Sequence, residues 1–203
     1  IEFKNQVKIH PTKYGYGLVK SILKNKGEIF ENSQVTNITK KGKKYEIDVN
    51  NNKVIADYVV IATRYPNMSF PGYYFLKMYQ STSFAMVFDC KSKLFNGMYI
   101  SAEVPTMSFR TIKEKDKTLL LAVGYDYKTG SENVENGYAK IEKFVKNIYP
   151  EAQVLYKWTA EDCISLDKIP YIGEFSNIMK NIYIATGFNK WGLTTSNIAA
   201  RII

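Results

Sequence analysis

The residues best placed to do chemistry lie near the end of the chain. Asn181–Ala185 reads as a strand, Gly187–Gly192 as a turn, and Leu193 onward as a helix. That order aims backbone N–H groups and the positive end of a helix dipole at whatever sits in the loop, which suits an anion or an electron-rich ring. An ordinary βα connection is the plainer account of these residues by themselves. Other chemistries find little support. Cys90 and Cys163 are far apart and show no C-x-x-C spacing, so they read as reduced core thiols. A single histidine, His10, cannot build a His-rich metal site, and no metal site is expected.

The elements that must position the loop are mixed. Thr12 reads as the cap of a helix to about Asn25, with Leu18, Val19, Ile22 and Leu23 at helical spacing and Gly27 as the stop. A short strand over 28–31 precedes strands at 35–39, 44–49 and 53–55. Val59-Val60-Ile61-Ala62 follows, an apolar run of the kind buried on both faces of a sheet. Strands at 80–89, 97–102, 107–113 and 118–125 suggest a mostly antiparallel sheet. A helix over 132–148 comes next, with Ser131 as N-cap and Pro150 beyond its end. A strand at 153–161 leads by a loop to Asn181. The fold class expected is α+β.

The net charge of +9 raises the question of nucleic acid. Lys40, Lys41, Lys43 and Lys44 flank Gly42 between two strand-like runs, which reads as a solvated hairpin turn and not a phosphate-binding stripe. A non-catalytic basic binding module and a purely structural domain remain the alternatives to an enzyme. The apolar runs are far shorter than the ~18–20 residues of a membrane span. No basic-then-apolar leader opens the chain, so the expected location is cytoplasmic. The chain starts on Ile1 and closes inside a helical run, and is read as a fragment.

Three stretches in order resemble one family. They are Ile9–Tyr14 with its helix and Gly27–Ile38, then Val59–Thr63, then Ile169-Pro170-Tyr171-Ile172-Gly173 with Asn181–Thr194. Together they resemble FAD-dependent oxidoreductases of the D-amino-acid oxidase and glycine oxidase type. Lys190-Trp191-Gly192-Leu193-Thr194 is similar to the branch that carries a C-terminal Rieske domain. The family's Gly-x-Gly-x-x-Gly turn is not found; Gly15 and Gly17 are followed by Lys20. The resemblance therefore implies a missing N-terminal segment as partner, and an α/β parent enzyme. It implies 1–66 as a partial FAD-binding domain, 67–157 as a substrate domain, and 158–203 as the return to the FAD-binding domain.

The resemblance also assigns roles. Val35 would hold the adenine by its backbone, with Ala62 and Thr63 near the dinucleotide. Gly187 and Gly192 would admit the flavin ring, and Leu193, Thr194 and Thr195 would donate to its pyrimidine edge. Lys190 would either add charge there or face solvent. Phe188 and Trp191 would wall the substrate pocket or fill core, with core favoured for Trp191. Asp162 stands where relatives of the glycine oxidase kind carry a carboxylate-binding arginine, which turns the expected substrate from amino acids towards amines. Arg110 and Tyr99 are the remaining candidates on the middle sheet. The implied activity is oxidation of a CH–NH bond in a small amine or amino-acid-like substrate, with FAD as cofactor. A 2Fe-2S cluster is implied only for a region outside this chain.

Overall fold

The computed structural model describes residues 4–66, 68, 70–131 and 134–203. The chain divides into two compact units, residues 1–56 and 57–203. The first unit holds helix α1 (Pro11–Lys24) and an antiparallel meander of β1 (Val35–Lys41), β2 (Lys44–Val49) and β3 (Asn52–Ala56). Proline sets where α1 starts. With φ fixed and no N–H to lose, Pro11 takes the first helical position, so His10 and not Thr12 is the cap. The His10 Nδ1 accepts from the Lys13 amide at 3.4 Å.

The end of α1 differs from expectation in a similar way. The left-handed residue is Lys26 (φ 63), and the Lys26 and Gly27 amides return to the Leu23 and Ile22 carbonyls. Gly27 is needed for space, since a Cβ there would sit 2.6 Å from Ile22 Cγ2. Residues 28–31 are not a strand. The lysine-flanked Gly42 (φ 64) does turn a hairpin, pairing Lys41 with Lys44.

The second unit is built on two sheets. Strand β4 (Val59–Ile61) and a 3-10 turn at Tyr74–Leu76 precede β5 (Met78–Asp89), β6 (Met98–Ile100), β7 (Met107–Glu114) and β8 (Lys117–Lys128). Helix α2 (Val134–Ile148), β9 (Gln153–Ser165), β10 (Tyr171–Glu174), β11 (Ile182–Thr186) and α3 (Gly192–Ile202) complete it. The start expected for α2 at Glu132 lies outside the described residues. Ser131 donates its hydroxyl to the Lys128 carbonyl.

The large sheet is antiparallel in the order β6-β7-β8-β5-β9. Helix α2 covers one face, packing Ile141 and Val145 among Phe84, Met86, Phe88, Leu120 and Ala122. The small sheet, β10-β11-β4, pairs β11 with β4 in parallel and with β10 antiparallel.

The strand buried on both faces is β5, lying between β8 and β9 and buried continuously from Ser81 to Phe88. The apolar run of β4 is not. It lies at the sheet edge with β11 as its neighbour, and Val60 is 52% exposed. The core is tight where α2 meets β5. A Cβ on Gly137 would overlap the ring of Phe84, which is fully buried and edge-on to Tyr138. Alanine is the better helix former by about 1 kcal/mol. Overpacking costs about 1–3 kcal/mol, and here it wins. Gly137→Ala is therefore expected to lower the urea midpoint of the protein; an unchanged or raised midpoint would show that Phe84 yields freely.

Candidate functional site

Two strand ends define the site. Because β4 and β11 are parallel, their carboxyl ends, Ile61-Ala62 and Thr186-Gly187, open on the same side, where ligands bind in open parallel sheets. A cavity of about 500 Å³ lies there, mostly apolar, within the second unit. Ala62, Arg64 and Val60 line it from the β4 side, and Ala185–Lys190 from the β11 side. Ser196, Ala199, Ala200 and Ile203 form one face of α3 and supply a further wall, with small side chains nearest the loop. Asp162 and Cys163, near the end of β9, close the remaining wall.

The loop after β11 is held by one side chain. Asn189 adopts a left-handed backbone (φ 50), which asparagine tolerates better than most residues. Its Oδ1 accepts from the Ser165 amide at 3.0 Å, and its Nδ2 donates to the Lys168 carbonyl at 3.0 Å. Its own amide reaches the Cys163 carbonyl at 3.2 Å. Ser165 has no solvent exposure, so these bonds are made in a low-dielectric place where losing one is costly. Gly187 (φ 68) begins the loop, and a Cβ there would press on Met78 Sδ at 3.3 Å. Thr186 donates its hydroxyl to the Arg64 carbonyl, joining the ends of β11 and β4.

Helix α3 begins directly behind this loop. No side chain caps it at Trp191, and the first bond of the ladder runs from the Thr195 amide to the Trp191 carbonyl at 2.9 Å. Thr195 therefore spends its N–H inside the helix, while Gly192, Leu193 and Thr194 stand in the first turn, whose amides lack intrahelical acceptors. The Thr194 hydroxyl turns back to the Trp191 carbonyl. A Cβ on Gly192 would meet no atom nearer than 3.9 Å, so the space beside it is open.

The sequence-derived candidates separate into groups. Ala62, Asp162, Gly187, Phe188 and Lys190 line the cavity. Thr63 lies beside it and donates its hydroxyl to the Tyr65 carbonyl at 3.0 Å. Val35 opens β1 in the first unit, opposite Val49. Trp191, favoured as core, is 69% exposed. Arg110 and Tyr99 lie on β7 and β6, outside the cavity lining and on opposite faces of the large sheet. Tyr99 pairs with Phe109, whose ring stacks on Phe144 of α2, so Tyr99 belongs to the covered face. Its hydroxyl donates to the Asn96 carbonyl at 3.1 Å. Arg110 points to the other face, half-buried and without a hydrogen bond or ion pair to any described residue.

Lys190 is an exposed residue, yet its ammonium is paired. Its Nζ lies 3.1 Å from Asp126 Oδ2 and donates to Ser83 Oγ at 2.9 Å. Among the lining residues that the sequence did not single out are Arg64 and Asn189. Arg64 (φ 60) donates to the Glu161 carbonyl at 2.8 Å, and Asn189 is the pin described above. An arginine or asparagine in a left-handed turn leaves no periodic signal to find.

Thiol chemistry does not suit the site. Burial pushes the Cys163 thiol up, against a smaller opposing pull from Arg64. Burial pushes Cys90 up to about 11, helped by Glu151 and Asp89. The folded chain holds these protons more tightly than the unfolded chain. Stability from this source is thus whole below the ordinary thiol range and lost as pH rises towards about 11. Iodoacetamide at pH 8 is expected to leave both cysteines unmodified in the native protein, and mass spectrometry showing rapid labelling would contradict this.

A parallel strand pair leading into a helix, beside an antiparallel sheet with one helix on it, makes this an α+β fold. The family model for FAD dependent oxidoreductases (DAO) matches residues 1–203, and the chain belongs to that family. A Bacillus subtilis (strain 168) protein named "Putative Rieske 2Fe-2S iron-sulfur protein YhfW" is 30% identical over 202 residues, 98% of this chain and 40% of that protein. Among solved structures, glycine oxidase from Bacillus cereus ATCC 14579 superposes with a TM-score of 0.71 at 17% identity, over 92% of this chain and 52% of that one. L-amino acid deaminase from Proteus vulgaris gives 0.68 at 14% identity, over 91% and 56%. These two likenesses show the fold. The chain spans 40% of the curated relative's length and about half of the solved chains.

The Asn189 pin generates a direct test. Asn189→Ala strands the buried Ser165 amide and places a Cβ residue without a local partner in a left-handed turn. The expected loss is about 1–3 kcal/mol in urea unfolding. Asn189→Gly, which loses the same side-chain bonds but tolerates the left-handed backbone, should recover part of it. Equal stability of all three proteins would refute the pin.

Proposed function

We propose that this chain forms the ring-side loop and the substrate-side sheet of an FAD-dependent oxidoreductase acting on the CH–NH bond of an amine or amino-acid-like substrate. The observation that carries this reading is the cavity at the carboxyl ends of β4 and β11, walled by the loop 187–190 and by Ser196, Ala199 and Ala200 of α3. The residues present fit an isoalloxazine ring. Small Ala62 and Gly187 leave room, the space beside Gly192 is open, and the walls are mostly apolar. FAD, when bound, supplies the two-electron acceptor that takes a hydride from the carbon beside the substrate nitrogen.

The chain's own residues bind and orient. The amides of Gly192, Leu193 and Thr194 and the helix dipole favour negative charge on the ring's pyrimidine edge. Asp162, in the cavity wall, offers a carboxylate to a substrate ammonium. The unpaired Arg110, half-buried on the face of the large sheet opposite α2, is suited to an anion such as a substrate carboxylate. Phe188 walls the pocket. Within this reading 1–66 and 158–203 belong to the FAD-binding domain, with Val35 beside the adenine and Thr63 beside the dinucleotide, and 67–157 is the substrate domain. A preceding segment of the same protein supplies the glycine-rich pyrophosphate turn, and any 2Fe-2S cluster belongs to a region outside this chain. The partner is a small molecule and not nucleic acid or membrane, and the setting is cytoplasmic. Among the described residues no helix is long and apolar enough to cross a membrane.

The test is the visible spectrum of the protein purified with its natural flanking sequence and reconstituted with FAD. Bound flavin absorption that bleaches anaerobically on addition of a small amine or amino acid is expected. Absence of any flavin binding overturns the reading. Asp162→Asn should weaken an amine substrate at least about tenfold if the carboxylate pairs with it, read as the half-saturating concentration for bleaching.

A further inference from the structure

The connection between the ring-side loop and the large sheet is built with unusual care. Asn189 and Lys190 are consecutive non-glycine residues in the left-handed region, at φ 50 and 70, a conformation costing about 1–2 kcal/mol per residue for most side chains. Such strain persists only where the surroundings over-determine it. Both side chains are indeed fixed. Asn189 is bound to Ser165 and Lys168, and Lys190 to Ser83 and Asp126.

The sheet is deformed to receive Lys190. The β5–β8 register shifts between Thr82 and Phe84, so Ser83 stands at an irregularity. Across from it, Tyr125 also adopts a left-handed backbone, at φ 51. Bulges of this kind re-aim side chains, and this one brings Ser83 and Asp126 to a single ammonium. Ser83 is buried, and the Lys190 and Asp126 side chains are 34% and 39% exposed.

We propose that Lys190, with Asp126 and Ser83, is a positioning strap that locks the ring-side loop to the substrate-side sheet and so sets the spacing between ring and substrate. This rests on the flavin reading above, and it assigns Lys190 a mechanical role in place of an electrostatic one. Asp126 already neutralises the ammonium, so little net charge is left to act on the ring. Two strapped residues, one to the end of β9 and one to the β5–β8 bulge, hold the loop from two directions.

The experiment separates strap from charge by sign. Lys190→Met, Asp126→Asn and the double variant are made in the protein with its natural flanking sequence, alongside Lys190→Arg, which can keep the ion pair. The first measurement is amide hydrogen exchange over 187–195, which needs no flavin. Both single variants should speed exchange about tenfold or more, the double variant no further than the worse single, and Lys190→Arg least. The second is the dissociation constant for sulfite in the FAD-loaded protein, a probe of negative-charge stabilisation at the ring. A strap predicts that both single variants weaken sulfite. A lysine acting by charge predicts opposite shifts, weaker for Lys190→Met and tighter for Asp126→Asn. Unchanged exchange, or opposite sulfite shifts, overturns the strap. If no variant and no parent protein binds FAD, the oxidoreductase reading falls and the exchange measurement alone decides the strap.

Discussion

The Asn189 amide side chain, wedged against fully buried Ser165, is the interaction on which the site depends. It ties the loop after β11 to the end of β9, and thereby sets where α3 begins. Without it, the Ser165 amide would be buried without an acceptor, and the loop would lose its anchor on the large sheet. The cost of an unmet hydrogen bond exceeds the modest gain of a made one, so this kind of contact specifies geometry more than it adds stability. The loop's place beside the cavity follows from that contact. The small side chains of Ser196, Ala199 and Ala200 face the cavity, while Gly192, Leu193, Thr194 and Thr195 stand outside its lining.

Much of the architecture was legible in the chain because periodicity carries it. The three strands of the first unit, the strands of the large sheet, and α2 show in the alternation and spacing of apolar residues. What escaped was decided by single residues or by neighbours remote in sequence. Pro11 moved a helix start that Thr12 alone would suggest, through its fixed φ. Residues 28–31 look strand-like yet find no partner strand. The short β10 was read as loop, being four residues long with a glycine inside. The run at Val59–Ile61 has the composition of a doubly buried strand but lies at an edge of its sheet.

The candidate site was legible to a similar extent. The order strand, glycine loop, helix singled out a segment whose first part, 187–190, lines the cavity, since that pattern is local. The partners of Lys190 were not visible, because Ser83 and Asp126 lie far away in sequence and meet only through a bulge. Arg64 was hidden for a related reason. Its place depends on the end of β4 meeting β9, which no window of the sequence contains. Trp191 shows the opposite failure, where residue type suggests core and the structure exposes it.

The parallel pairing of β4 with β11 has a consequence for how the chain is born. Ile61 and Ile184, which sit side by side, are roughly 120 residues apart. At about 5–20 residues per second of synthesis, Val59–Ile61 leaves the ribosome roughly ten seconds before its partner strand exists. Through that interval the strand lacks the pairing that β11 provides and must stay out of wrong ones. The cavity is therefore the last part of this unit to be assembled during translation, and the part whose first half is longest at risk.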